Sequence, residues 1–121
     1  MSYLETGEAA LAAPLLDAEQ AEDLLQTTGF EAFAEFLANF SGELENRPAI
    51  IAEQWALGDH AAARASAHYL KGAALVIGAA RIAALCESIE RSDDARSGRL
   101  IGLLQPVAEE TGRSLRALIA V

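Results

Sequence analysis

The hydrophobic residues of this chain recur every three or four positions, which is the spacing of amphipathic α-helices and not of strands. The longest such run predicts a helix over residues 30–57. Its apolar positions are Phe33, Leu37, Phe40, Leu44, Ile51 and Trp55. Pro48 falls inside this run and predicts a kink near residues 44–48, because proline lacks the N–H that a helix interior needs.

A shorter helix is predicted before it, over residues 17–28. Asp17 is a candidate N-cap, and Gln20, three residues later, is the candidate capping-box partner. Gly29 is expected to end this helix, since glycine commonly follows the last helical residue. The periodicity is weak before this helix, so we expect a flexible lead-in over residues 1–14.

The third predicted helix, residues 60–78, has two distinct faces and Asp59 as its candidate N-cap. One face is an apolar seam of small and aliphatic residues: Ala63, Ala67, Leu70, Ala74 and Ile77. The outward face carries His68, Lys71, Gly72, Leu75 and Ala79. We expect the apolar seam in the core, which leaves Leu75 and Ala79 exposed for a partner protein to cover.

Two further helices complete the predicted fold. The fourth runs over residues 80–93, a polar loop follows over residues 92–98, and the last helix runs over residues 98–120 with a second kink at Pro106. Four substantial helices with short links predict an all-α antiparallel four-helix bundle with an additional short N-terminal helix. The bundle domain is expected to cover residues 15–121.

Composition narrows the function classes. The net charge of −9 argues against a nucleic-acid partner. No apolar run is long enough to span a membrane, and no signal-peptide pattern opens the chain. The single cysteine, Cys86, cannot form an internal disulfide and has no metal-ligand neighbours at the usual spacing, so we expect a core residue and a cytoplasmic protein without a metal site.

The outward face of the third helix carries the clearest candidate chemistry. His68 has Lys71 three residues on and Gly72 four residues on, so all three lie within one helical turn. A cation beside an imidazole suits a phosphoryl group, and a glycine lets another molecule come close. The alternative is that His68 is idle, but a glycine inside a helix costs about 1 kcal/mol against alanine and calls for a reason.

The spacing around the next turn selects Glu90 as a partner of this histidine. If the chain reverses near Gly78 and Ala79, His68 lies ten residues before the turn and Glu90 eleven after it. Antiparallel helices rise equally, so the two side chains come level. Glu90 then accepts a hydrogen bond from His68 Nδ1–H and leaves Nε2 free as a nucleophile. The alternative is that Glu90 is a solvated helix residue.

These residues resemble the histidine-containing phosphotransfer (HPt) domain of two-component phosphorelays. The shared pattern is A-H-x-L-K-G, a glycine ten residues after the histidine, and L-C-x-x-I-E. It is carried here by Ala67, His68, Leu70, Lys71, Gly72, Gly78, Leu85, Cys86, Ile89 and Glu90. The resemblance covers roughly residues 15–120. It implies that His68 is the phosphoacceptor, Lys71 steadies the phosphoryl group, Gly72 makes room for a receiver domain and Glu90 orients the imidazole.

The resemblance also implies a function and partners. His68 would take a phosphoryl group from a receiver-domain aspartate and pass it to another receiver, with a hybrid sensor histidine kinase upstream. We expect the carrier to be a monomer. We also expect it to lack kinase activity, since the chain has no glycine-rich nucleotide loop. We expect no cofactor of its own, and the Mg²⁺ would belong to the receiver.

Two other functions stay open from sequence. One is a helical adaptor that binds receiver-like proteins without carrying phosphate; the other is the detached phosphoacceptor domain of a chemotaxis-type kinase. Arg64, one turn before His68, either assists the phosphoryl group or faces solvent, and we group it with the candidate partner-binding residues Gly72, Leu75 and Ala79. We expect His60 to be an exposed residue in the first turn of the third helix. We expect Tyr69 to be a packing group.

Overall fold

The computed structural model describes residues 8–119, and all of the regular secondary structure in that range is helical. A 3₁₀-helix, Glu8–Ala12, precedes five α-helices: α1 (Ala18–Thr28), α2 (Phe30–Ala56), α3 (His60–Ile77), α4 (Ala80–Arg91) and α5 (Asp94–Ile119). Residues 8–119 contain no strand, which confirms the all-α class. Within the same range, no helix combines the length and the apolar character that crossing a membrane requires.

One core is enclosed by the four helices α2 to α5. Helix α2 packs against α3 and α5, and α4 packs against the same two helices, while α1 lies mainly on α2. The apolar seam of α3 is completely buried, as predicted. The predicted apolar positions of α2 are buried except Trp55, which is half-buried, and the helix continues through Pro48 without interruption.

The helix ends follow the capping signals, with one exception. Asp17 Oδ1 accepts a hydrogen bond from Gln20 N, and Asp59 Oδ1 accepts one from Ala62 N, each at 3.1 Å. The predicted capping box is wrong in its second half, because the Gln20 side-chain amide donates to the carbonyls of Leu75 and Val76. Helix α1 is thereby tied to the carbonyl end of α3.

Gly78 shapes the turn between α3 and α4. Its φ of +85° is the left-handed conformation that favours glycine, and a Cβ there would lie 2.8 Å from Asp17 O. Gly78 O also accepts a hydrogen bond from Asp17 N at 2.7 Å. The tight turn and the close approach of α1 both require this glycine.

The polar loop predicted over residues 92–98 is wrong, since α5 already begins at Asp94. Asp93 caps the helix by accepting a hydrogen bond from Arg96 N at 2.9 Å. Ser97 lies in the first turns and is buried, with its hydroxyl donating to Ile89 O at 2.7 Å. The polar residues of this segment are therefore a cap and a buried hydrogen-bond donor, not a solvated loop.

Part of the predicted lead-in packs on the helices. The 3₁₀-helix lies against α4 with Ala10 buried, and Arg81 Nε donates to Ala13 O at 2.9 Å. Residues 1–7 of the lead-in lie outside the described residues. The domain boundary after residue 14 stays a prediction.

Cys86 is fully buried in the core, as the sequence predicted. Burial raises the pKa of its thiol to about 12, so the reactive thiolate is scarce at pH 8. We expect a thiol reagent such as DTNB to leave the native protein unmodified at pH 8 over minutes. The same reagent should modify one thiol per chain in guanidinium chloride. Rapid stoichiometric reaction of the native protein would contradict this burial.

Candidate functional site

Helix α3 presents His68 on the protein surface. Its side chain is 71% exposed, while the neighbouring Ala67 and Leu70 belong to the buried apolar seam. One turn further on, a Cβ placed on Gly72 would meet nothing within 4 Å. The surface beside the histidine is therefore open to another molecule, as the sequence predicted.

Helix α4 places a carboxylate against the histidine ring. Glu90 Oε1 lies 2.8 Å from His68 Nδ1, so the contact predicted from the spacing around Gly78 is present. No hydrogen bond from the described residues reaches Nε2. The ring is thus held at one nitrogen by an anion and exposes the other.

Lys71 completes this cluster through the same carboxylate. Its ammonium donates to Glu90 Oε2 at 3.0 Å, and both side chains are largely buried. This ion pair was not predicted, although the sequence contains a signal for it: Lys71 lies three residues after His68 and faces the same neighbouring helix. Glu90 therefore bridges the histidine and the lysine.

An apolar groove of about 440 Å³ lies beside the histidine, between α2 and α3. Its lining residues are Phe36, His68, Tyr69, Gly72, Ala73 and Val76. Tyr69 was expected to be a packing group, but it is 58% exposed, with the Arg47 guanidinium 4.7 Å from its ring centroid. Leu75 is 54% exposed on the same helix, as predicted. The surface around His68 is thus more apolar than predicted from the sequence.

Ala79 does not belong to this surface. It was predicted to face outward with Leu75, but the structure buries it completely. The reason is that α3 ends at Ile77 and the chain turns through the left-handed Gly78, so the helical repeat no longer applies. Ala79 instead immediately precedes α4 and is part of the core.

The contacts of Arg64 support neither prediction made for it, which were assistance to the phosphoryl group and a solvent-facing position. Its guanidinium donates to Ile89 O at 3.3 Å, to Ser92 O at 3.1 Å and to Asp94 Oδ1 at 3.0 Å, and it lies over the Trp55 ring. The hydrogen bond from Arg64 holds the pKa of the Asp94 carboxyl below its usual value. Arg64 therefore contacts the end of α4 and the start of α5, and this arrangement does not support its predicted role as a partner-binding residue.

His60 is also more engaged than predicted. It was expected to be exposed, but its ring stacks on Trp55 with centroids 3.7 Å apart and planes 10° apart. Its Nδ1 lies 3.2 Å from Asp94 Oδ2. One ring face of His60 is covered by the indole, so its imidazole is less accessible than that of His68.

The fold and the site together define an all-helical domain that exposes one histidine with a carboxylate on its Nδ1. A family model described as the Hpt domain matches residues 35–119, which include His68, Lys71 and Glu90. The chain therefore belongs to the Hpt domain family. Comparisons with curated proteins and with solved structures gave no significant match. Hpt domains are histidine phosphotransfer carriers of phosphorelays, where they work with receiver domains and kinases.

Proposed function

We propose that this protein is an intermediate of a His–Asp phosphorelay that accepts a phosphoryl group on His68 from a receiver aspartate and passes it to a second receiver. Its helices α2 to α5 would form the antiparallel four-helix bundle that the sequence predicted. The observation that carries the proposal is the His68 ring itself, with Nδ1 2.8 Å from Glu90 Oε1 and with its side chain exposed.

The chemistry follows from the protonation of the imidazole. We assign the ring proton to Nδ1, because a carboxylate oxygen at that distance is an acceptor. The Nε2 lone pair then attacks the phosphorus of the aspartyl phosphate. The new N–P bond forms while the P–O bond to the aspartate breaks, and the electron pair leaves with the receiver carboxylate. The phosphorylated ring becomes cationic, and Glu90 stabilises that charge.

Lys71 and Gly72 supply charge and access. An ammonium has three N–H donors, and one of those on Lys71 meets Glu90. The remaining donors suit the phosphoryl oxygens, whose negative charge must be neutralised during transfer. Gly72 keeps the surface beside His68 free of side-chain atoms, so the receiver aspartate can approach Nε2.

The partner surface is proposed to be the exposed apolar face around the histidine. Tyr69, Leu75 and Val76 each expose about half of their side chains there. A receiver domain that covers them excludes water from the transferring phosphoryl group and gains binding energy from apolar contact. The Mg²⁺ would be held by the acidic pocket of the receiver, and the protein itself would need no cofactor and act as a monomer.

A transfer assay tests this function. The protein should gain acid-labile label when it is mixed with a receiver domain carrying labelled aspartyl phosphate, and that receiver should lose label in step. A second, unlabelled receiver added afterwards should recover the label. Transfer directly from ATP and an isolated kinase catalytic domain, with none from any receiver, would identify a chemotaxis-type phosphoacceptor instead. Binding of receivers without labelling would identify an adaptor.

A further inference from the structure

The carbonyl end of α4 is held by side chains from two other helices. The last carbonyls of an α-helix lack partners within the helix, and the last turn is where helices loosen. Here Ile89 O accepts from Arg64 Nε at 3.3 Å and from Ser97 Oγ at 2.7 Å. Ser92 O accepts from Arg64 Nη2 at 3.1 Å, and it lies 3.2 Å from Ser97 Oγ, whose single proton is shared with the closer Ile89 O. Glu90 lies between these two carbonyls in sequence.

We propose that Arg64 is a positioning residue for the phosphotransfer site, which it serves by keeping Glu90 level with His68. Arg64 and His68 stand one turn apart on α3, while Glu90 stands in the last turn of α4. The guanidinium therefore ties the end of the glutamate's helix to the helix that carries the histidine. The inference rests on the proposed function, because it assigns a role in orienting the phosphoacceptor.

Arg64 is itself held in a defined place. Its guanidinium carbon lies 5.1 Å from the centroid of the Trp55 ring, and Asp94 Oδ1 accepts from Nη2 at 3.0 Å. Three quarters of the side chain is buried. A planar group with several donors can contact two carbonyls and a carboxylate together, whereas a lysine ammonium on a flexible stem cannot reproduce that fork. The tether thus depends on arginine and not on positive charge alone.

The direct measurement is the tautomer of His68 in the unphosphorylated protein, read from the ¹⁵N shifts of its imidazole. We expect the wild-type ring to carry its proton on Nδ1. Arg64→Ala should shift the ring toward a mixture of tautomers, because Glu90 is then held opposite Nδ1 less firmly, by Lys71 and by the Ser97 contact to the end of α4 alone. Transfer from a receiver should fall about tenfold, the lower end of what outer partners of a functional group contribute. Arg64→Lys should give a smaller shift in the same direction.

Arg81 offers a matched control, because it lies at the start of α4, the helix that carries Glu90 in its last turn. Its Nε also donates to a backbone carbonyl, that of Ala13, at 2.9 Å. Arg81→Ala should leave the His68 tautomer and the transfer rate unchanged. In a Glu90→Ala background, Arg64→Ala should add no further loss of transfer, because the side chain that Arg64 positions is already gone.

Two results would overturn the proposal. One is an unchanged Nδ1–H tautomer in folded Arg64→Ala or, if that variant does not fold, in Arg64→Lys. The other is the same loss of transfer from Arg64→Ala with and without Glu90. The tautomer is read without any partner protein, so failure of the proposed phosphorelay role would appear separately, as absence of transfer to the wild type.

Discussion

His68→Gln is expected to abolish acid-labile phosphorylation completely and to leave the protein folded. Glutamine has no imidazole nitrogen to attack phosphorus, and the replaced ring is 71% exposed, on the face opposite the buried apolar seam. Loss of the hydrogen bond to Glu90 should lower the free energy of unfolding by only about 1 kcal/mol. Labelling from a phosphorylated receiver and a chemical-denaturation curve measure the two effects.

His60→Gln is the stringent control for this result. His60 is the other of the two histidines in the chain, and its Nδ1 also pairs with a carboxylate, that of Asp94. It is stacked on Trp55, so we expect the His60 variant to lose some stability while retaining full phosphorylation. Label that persists in His68→Gln and disappears when His60 is also replaced would move the acceptor to His60.

The helices and the level of Glu90 could be predicted because their signals are local. Asp59 and Gly78 mark the two ends of α3, and the apolar seam between them recurs with the helical period. The short turn at Gly78 then leaves little freedom in how α3 and α4 are aligned. Counting residues on each side of that turn was enough to place Glu90 beside His68.

Two of the errors arise where a polar side chain finds its hydrogen-bond partner on another helix, and one arises at a turn. Ser97 looked like a loop residue because its polarity is visible in sequence, whereas the carbonyl of Ile89 that it satisfies is not. Arg64 reaches carbonyls 25 and 28 residues away, and periodicity gives the face of a long side chain but not its partner. Ala79 was misplaced because a helical repeat was continued through a turn.

Gly72→Leu is expected to impair transfer strongly while making the protein slightly more stable. Gly72 lies inside α3, and a leucine in a helix interior is favoured over glycine by about 0.5–1 kcal/mol. A Cβ at this position meets nothing within 4 Å, so the first added carbon causes no clash that would offset the gain. The leucine would instead occupy the space beside His68 through which, under the proposed function, a receiver approaches. Displacing the aspartyl phosphate by about 1 Å costs roughly a hundredfold in rate.

Gly102→Leu is the matched control, because Gly102 is also an exposed glycine inside a helix, and a Cβ added there would meet nothing within 4 Å. It lies on α5, which does not carry His68, so this variant should gain similar stability and transfer at the normal rate. Thermal melts compare the stabilities, and single-turnover transfer from a labelled receiver compares the rates. Equal, undiminished transfer by both variants would show that the open surface at Gly72 is not needed for docking. Equal loss of transfer in both variants would point to a general effect of stiffening the helices. Obstruction at His68 is expected for the Gly72 variant alone, so it could not explain a loss in both.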